Sequence, residues 1–411
     1  LKQESCFRSS WRIAARYWYS IQCCNRLDLP MPPMKAVQAM PIVVWLPFLW
    51  AVSRRLLVSL GMIIFIEGHT FGITPVSFRT SLFFLVMICV AKDVLSLLGE
   101  GLRPSPVPDM NVTTETDSFL DGKVKWSASG MRGWRNAMED AHVCEMLETE
   151  VAIFAVLDGH GGKEVSALGS RILMEELRAC CGESSKDGPR PLQRALEAAL
   201  PRLDARLHDG LLGLAKYLPI FLHPYAACGS TACVAAVDFR RREIVVANVG
   251  DSRAILIQNG KAKALSQDHK PEDPTERNRI RGAGGSVIKV GPCHRIDGNL
   301  NLSRALGDFS LKARHDLRPD QQKVIANPDT TRTPFVGGPD ELLVVACDGL
   351  FERCSNQDVA DIIWPRLKKG MALDTIGQEL LHAVCAGSYN GRPISEGTDN
   401  ETVVLVRLPS L

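Results

Sequence analysis

Short acidic clusters at the ends of apolar, β-type runs constrain this chain more than any other feature. They are Glu139-Asp140, Asp158-Gly159-His160, Asp251-Ser252-Arg253, Asp308, Asp348-Gly349 and Asp399-Asn400. A sheet can aim side chains from distant sequence positions at one point only where its strands end. Carboxylates brought close together repel one another, so they converge around a cation. Converging aspartates with few convergent Cys or His point to a hard, oxygen-seeking ion, Mg²⁺ or Mn²⁺.

The runs between these clusters read as secondary structure. Val151–Leu157 is a continuous apolar stretch that enters a glycine turn, the pattern of a buried strand. Residues 163–180 are helical in period, 184–191 read as a loop, and Leu192–Leu212 reads as a helix broken at Pro201. Residues 229–237 and Glu243–Val249 form a strand pair. Asn259-Gly260 marks a hairpin between 254–257 and 261–265. Asp273-Pro274-Thr275-Glu276 has the pattern of a helix start, with the helix ending near Gly282. Glu341–Ala346 is another buried strand, Ser355 to Asp358 cap a helix running to about Lys369, and 402–408 is a last strand. Many antiparallel-type strands with few βα alternations predict an α+β fold: two antiparallel β-sheets in a central sandwich flanked by α-helices.

The chain divides into two unlike parts. Residues 1–110 carry eleven Lys/Arg against six Asp/Glu, a balance of +5, whereas the whole chain stands at +2. Their apolar runs at 41–53, 56–66 and 81–91 fall short of the roughly 18–20 residues of a standard transmembrane helix. Residues 41–98 are therefore either a membrane-associating anchor or part of an extension foreign to the mature protein. Pro104, Pro106 and Pro108 mark a linker, and the catalytic domain is expected over 120–409. The overall charge gives no argument for nucleic acid, and none is expected as a partner. Thirteen Cys without a C-x-x-C pair argue against structural zinc and for reduced thiols, hence an intracellular protein, cytoplasmic or nuclear, or membrane-associated if the first segment is genuine.

Each acidic cluster has an ordinary alternative. An Asp-Gly after a strand is commonly a turn or a helix cap. Two such sites, Asp158 and Asp348, with Asp399 before a third apolar strand, favour a metal. Arg135 lies four and five residues before Glu139 and Asp140. Such an arginine suits a tetrahedral oxyanion through bidentate hydrogen bonds. His160, at the mouth of a glycine turn, could protonate a leaving group near neutral pH.

Taken in order, these stretches resemble the protein phosphatase 2C family of metal-dependent Ser/Thr protein phosphatases. The matching segments are 133–142 (GWRNAMEDAH), 156–162 (VLDGHGG), 229–232 (GSTA), 247–254 (ANVGDSRA), 268–271 (DHKP), 302–308 (LSRALGD), 346–350 (ACDGL) and 398–400 (TDN). The resemblance implies two cations in a cleft at one end of the sandwich. Asp158 would bridge both, Asp348 and Asp399 would hold the first, and Glu139 with the Gly159 carbonyl would hold the second. Asp251 with Asp348 would serve a weaker third. Arg135 would bind the substrate phosphate and His160 would act as general acid, with Asp140, Glu352 and Asn400 in supporting positions and Asp308 structural. It also implies hydrolysis of phosphoserine and phosphothreonine in proteins by in-line attack of a metal-bridging hydroxide, without a phosphoenzyme, in a monomeric catalytic domain.

Three positions depart from the family pattern: Glu352 where many members have Asp, Gly397 where Ser is usual, and Asn301 in place of a small apolar residue. None of the three is among the ligands implied for the two main cations. Two rivals remain open. A cysteine-dependent phosphatase would use Cys6–Arg12 or Cys347–Arg353, yet neither has a preceding His or a glycine-rich cradle. A non-enzymatic relative would be expected to lack one of Glu139, Asp158, Asp348 and Asp399, and all four are present.

Overall fold

The computed structural model describes residues 107–185, 188–189, 191–212, 225–389, 392–393 and 396–410. In chain order the strands and helices that build the domain begin with β1 (Asp109–Phe119), β2 (Val124–Gly133), β3 (Ala141–Glu148), β4 (Val151–Leu157) and β5 (Gly159–His160). Helices α1 (Glu164–Gly182) and α2 (Leu192–Leu212) follow. Next come β6 (Gly229–Ser230), β7 (Ala232–Asp238), β8 (Glu243–Val249), β9 (Arg253–Gln258) and β10 (Lys261–Ala264). After α3 (Pro274–Gly282) lie β11 (Val287–Val290), β12 (Cys293–Ile296), β13 (Leu306–Gly307), β14 (Asp329–Pro334) and β15 (Glu341–Ala346). The chain closes with α4 (Asp348–Phe351), α5 (Asn356–Lys368), α6 (Leu373–Val384) and β16 (Glu401–Arg407).

Six strands form one sheet in the order β1-β2-β16-β15-β9-β10, and five form a second in the order β14-β8-β7-β4-β3. Every neighbouring pair in both sheets is antiparallel. The sheets face each other across a buried layer that includes Trp126, Phe154, Val237, Leu256, Val345 and Val406. The outer face of the five-stranded sheet is covered by α1 and α2, through Leu173, Leu177, Leu200 and Leu203. The outer face of the six-stranded sheet is covered by α5 and α6, through Ile363, Leu367, Ile376 and Leu380. Strands buried on both faces explain why β4, β8 and β15 read as unbroken apolar runs rather than as alternating ones. This is the α+β sandwich that the sequence predicts.

Local signals mostly hold. Asn259 and Gly260 take positive φ of 52° and 78°, as a two-residue turn between β9 and β10 requires. Ser355 and Asp358 form a reciprocal capping box at the start of α5. Asp273 precedes α3 as expected, but its side chain caps no helix N–H; it accepts the Lys270 N–H at 3.3 Å instead. The expected break at Pro201 does not occur, and α2 runs through it. Leu196, Leu200, Leu203 and Leu207, all fully buried on one face, hold the helix together where proline removes a backbone donor.

No helix among the described residues is long and apolar enough to cross a membrane. Residues 41–98, where the sequence places membrane association, lie outside the described residues.

Candidate metal centre and active site

The registers of the two sheets gather the acidic clusters at one end. In the six-stranded sheet, Arg253 pairs with Ala346, Ala346 with Val403, and Met131 with Glu401. The residues just beyond these pairs are Asp251, Asp348, Asp399 and Arg135, so all four leave the sheet at the same edge. In the five-stranded sheet Ala141 pairs with Leu157, which sets Asp140 and Asp158 side by side.

The electrostatics record this crowding. Burial first, and then the nearby charges of Asp140, Asp348, Asp399 and Asp251, push the Asp158 carboxyl well above its ordinary range. Asp348 is pushed up in the same way, by burial, Asp251 and Asp399, while Lys270 opposes the rise. Burial pushes Asp140 up to about 6. Its Oδ2 accepts the Thr402 hydroxyl at 2.7 Å, but its buried Oδ1 has no hydrogen-bond partner among the described residues. Asp140, Asp158 and the Cys347 thiol offer ligand atoms within 4.8 Å of one another. Carboxylates gathered in this way, with an unpartnered oxygen among them, have the chemistry that a hard divalent cation seeks. Cys347 itself fits less well. Burial and the flanking carboxylates hold it as a thiol, hydrogen-bonded to the Asn400 carbonyl and the Thr402 N–H. That also removes it as a nucleophile.

The remaining predicted residues are tied into the same end. Arg135 pairs with Asp399; burial would lower its pKa, but Asp399, Asp158 and Asp348 hold the guanidinium above its ordinary range. Asn400 clamps the loop between β2 and β3. Its Oδ1 accepts the Glu139 N–H at 2.9 Å, and its Nδ2 donates to the Arg132 and Ala137 carbonyls at 2.9 and 3.0 Å. The Glu139 carbonyl accepts the Ser166 hydroxyl, and its side chain accepts the Gly162 N–H at 3.4 Å. A Cβ on Gly159 would lie 2.3 Å from the Glu139 carbonyl, so only glycine fits where these loops touch. Glu352 accepts the Gly397 N–H at 3.1 Å and is also hydrogen-bonded by the Thr398 N–H, which anchors the loop that delivers Asp399. Gly397 has φ of +90°, and a Cβ there would meet the Val384 carbonyl at 2.4 Å. That accounts for glycine at this departure from the family pattern.

Three partners escape the sequence reading. Lys270, within the quoted 268–271 segment, forms an ion pair with the buried Asp251. Thr231 fixes the Asp158 backbone by donating its own N–H to the Asp158 carbonyl at 2.8 Å and accepting the Asp158 N–H on its hydroxyl at 3.0 Å. Asp308 accepts His160 Nε2 at 2.7 Å. Lys270 and Thr231 lie within segments that carry the family resemblance and Asp308 was an acid without an assigned partner, but nothing in the sequence pointed to the contacts they make.

A sandwich with clustered carboxylates and an arginine at one end has donors that suit divalent cations and a fixed positive charge that suits an anionic substrate. Comparison with known proteins narrows this reading. The family model for protein phosphatase 2C matches residues 124–389. The chain is 36% identical over 287 residues to probable protein phosphatase 2C 6 of Paramecium tetraurelia, covering 69% of this chain and 92% of that protein. It is 34% identical over 322 residues to probable protein phosphatase 2C 58 of Oryza sativa subsp. japonica, covering 69% and 84%. Among solved structures, a phosphatase from a pathogenic strain of Toxoplasma gondii superposes with a TM-score of 0.58 at 25% identity, over 73% of this chain and 96% of that one. The chain belongs to the protein phosphatase 2C family and is a protein serine/threonine phosphatase.

Proposed function

We propose that this phosphatase removes phosphate from phosphoserine and phosphothreonine in proteins by direct attack of water at a two-cation centre, without a phosphoenzyme. The observation that carries this reading is the cluster of half-buried carboxyls at one sandwich end, where Asp140 and Asp158 offer oxygens within 4.8 Å of each other and Asp158 and Asp348 are both pushed well up by desolvation and neighbouring carboxylates. Asp158, Asp348 and Asp399 would hold one Mg²⁺ or Mn²⁺; Asp158, Glu139 and the Gly159 carbonyl would hold the other; Asp251 with Asp348 would serve a looser third. Bound there, the cations supply charge neutralisation and a water acidic enough to attack phosphorus at neutral pH.

The chain's own residues do the rest. Arg135, half exposed and charged at every working pH, binds the phosphate oxygens of the substrate and orients it for in-line attack. His160 gives a proton to the departing serine or threonine oxygen. Asn400, Ser166 and Glu352 keep the ligand loops in place.

The test is turnover of a phosphothreonine peptide by the purified protein after exhaustive chelation, after adding back Mn²⁺ or Mg²⁺, and after thiol alkylation. Activity lost on chelation and restored by metal is expected, with Asp158→Asn not restored. Activity that survives chelation but disappears on alkylation would sink the reading.

A further inference from the structure

We propose that Asp308 is the positioning residue for His160, fixing which ring nitrogen is offered to the leaving oxygen. The proposal rests on His160 acting as the proton donor. Asp308 Oδ2 lies 2.7 Å from His160 Nε2, and the Asp308 side chain is only 5% exposed.

The contact is built rather than incidental. The short strand β6 pairs with β5 on one side and with β13 on the other. This three-stranded ladder brings His160 and Asp308 together across 148 residues of sequence. The Asp308 N–H donates to the Cys228 carbonyl at 2.8 Å, and the Asp308 carbonyl accepts the Leu311 N–H at 2.8 Å. Both bonds hold the residue in a left-handed conformation, φ 48°, which aspartate tolerates better than most residues. Asp308 precedes a short 3₁₀ turn, yet its side chain makes no cap bond there. The carboxylate is therefore committed to His160. Gly229 leaves the space for it: a Cβ at that position would stand 2.2 Å from Asp308 Oδ2 and 2.4 Å from His160 Nε2.

With Nε2–H donated to Asp308, Nδ1 is the nitrogen left for the substrate. As the water oxygen bonds to phosphorus, the P–O electron pair leaves with the serine or threonine oxygen. That oxygen takes the Nδ1 proton of the imidazolium. The ring is left neutral, its Nε2–H retained and still donated to Asp308. Without Asp308 the ring can turn away and loses the carboxylate that favours its charged, proton-donating form, which lowers kcat only for leaving groups that need a proton.

The experiment compares a phosphoserine peptide with p-nitrophenyl phosphate, whose leaving group needs no proton, in the Mn²⁺-loaded full chain. Asp308→Ala should lower kcat about 100-fold on the peptide and leave the aryl phosphate nearly unchanged. Asp308→Asn, whose amide oxygen still accepts from Nε2–H, should recover most of the loss and keeps the test open if the alanine variant does not fold. Gly229→Ala should mimic Asp308→Ala. The double variant His160→Gln/Asp308→Ala should be no slower than His160→Gln alone. Equal losses on both substrates for Asp308→Ala, or an asparagine variant no better than alanine, overturn the proposal. His160→Gln separates the two claims. If it is selective for the peptide while Asp308→Ala is not, only the positioning role fails. If His160→Gln is itself unselective, the proton-donor reading fails.

Discussion

Glu401 is a buried carboxyl that the metal centre does not require, and its removal makes a quantitative prediction. It opens β16 opposite Met131, on the sheet face covered by α6. It is fully buried, and neither carboxyl oxygen has a hydrogen-bond partner among the described residues. Burial, reinforced by the Glu352 charge and opposed by Arg353, pushes its pKa from 4.5 to about 9. In the folded protein the group keeps its proton to about pH 9, whereas in the unfolded chain it loses it near 4.5. Between those values unfolding releases a proton, so this group lowers stability as pH rises. From pH 5 to pH 8 the loss is at most about 4 kcal/mol. Glu401→Gln removes the titration. Glu401→Met removes the orphaned polar atoms as well, which is worth roughly a further 1–3 kcal/mol at every pH. Urea unfolding without divalent cations, at each pH from 5 to 8, reads both effects as differences from the parent chain. The stability gained by Glu401→Gln should be small at pH 5 and grow steadily toward pH 8. A gain that stays flat across this range would show that Glu401 is already ionised in the fold, and the burial argument would be wrong.

Asp348→Asn should raise the melting temperature of the metal-free protein, because it relieves charge repulsion, and should reduce the further rise that Mn²⁺ produces in the parent, since one of the two cations loses a ligand; an undiminished Mn²⁺-dependent shift in the variant would remove Asp348 from the ligand set. Arg135→Ala should raise KM for a phosphopeptide about tenfold or more while changing kcat less, since the guanidinium binds phosphate in the ground state as well as the transition state; steady-state kinetics with an unchanged KM would reject that role. Phe154→Ala, which empties a fully buried site between the two sheets, should cost about 3–5 kcal/mol in urea melts; a cost near zero would mean that the sandwich closes over the gap.

The sequence by itself determined the strands buried on both faces and the positions where chemistry sits. Val151–Leu157, Glu243–Val249 and Glu341–Ala346 were legible because a double-sided burial leaves an unbroken apolar run, and the aspartates beside them stand out against it. Elements with mixed exposure were not legible. The edge strand Asp109–Phe119 is mostly polar because only one strand, β2, pairs with it, and the hairpin Val287–Ile296 is short and buries only Ile296 fully. Tertiary structure alone decided the partners. Nothing local in Asp308 points to His160, in Lys270 to Asp251, or in Asn400 to the loop before Glu139, because these contacts join residues that only strand pairing brings together. Nor does a glutamate after Asp399-Asn400 announce that it is buried. Periodicity reports how a segment meets its own layer, whereas a side chain's charge state depends on what the other layers place around it. The acidic scatter could be read from the chain, but its convergence into one crowded, cation-seeking centre required the two sheets to end at the same edge.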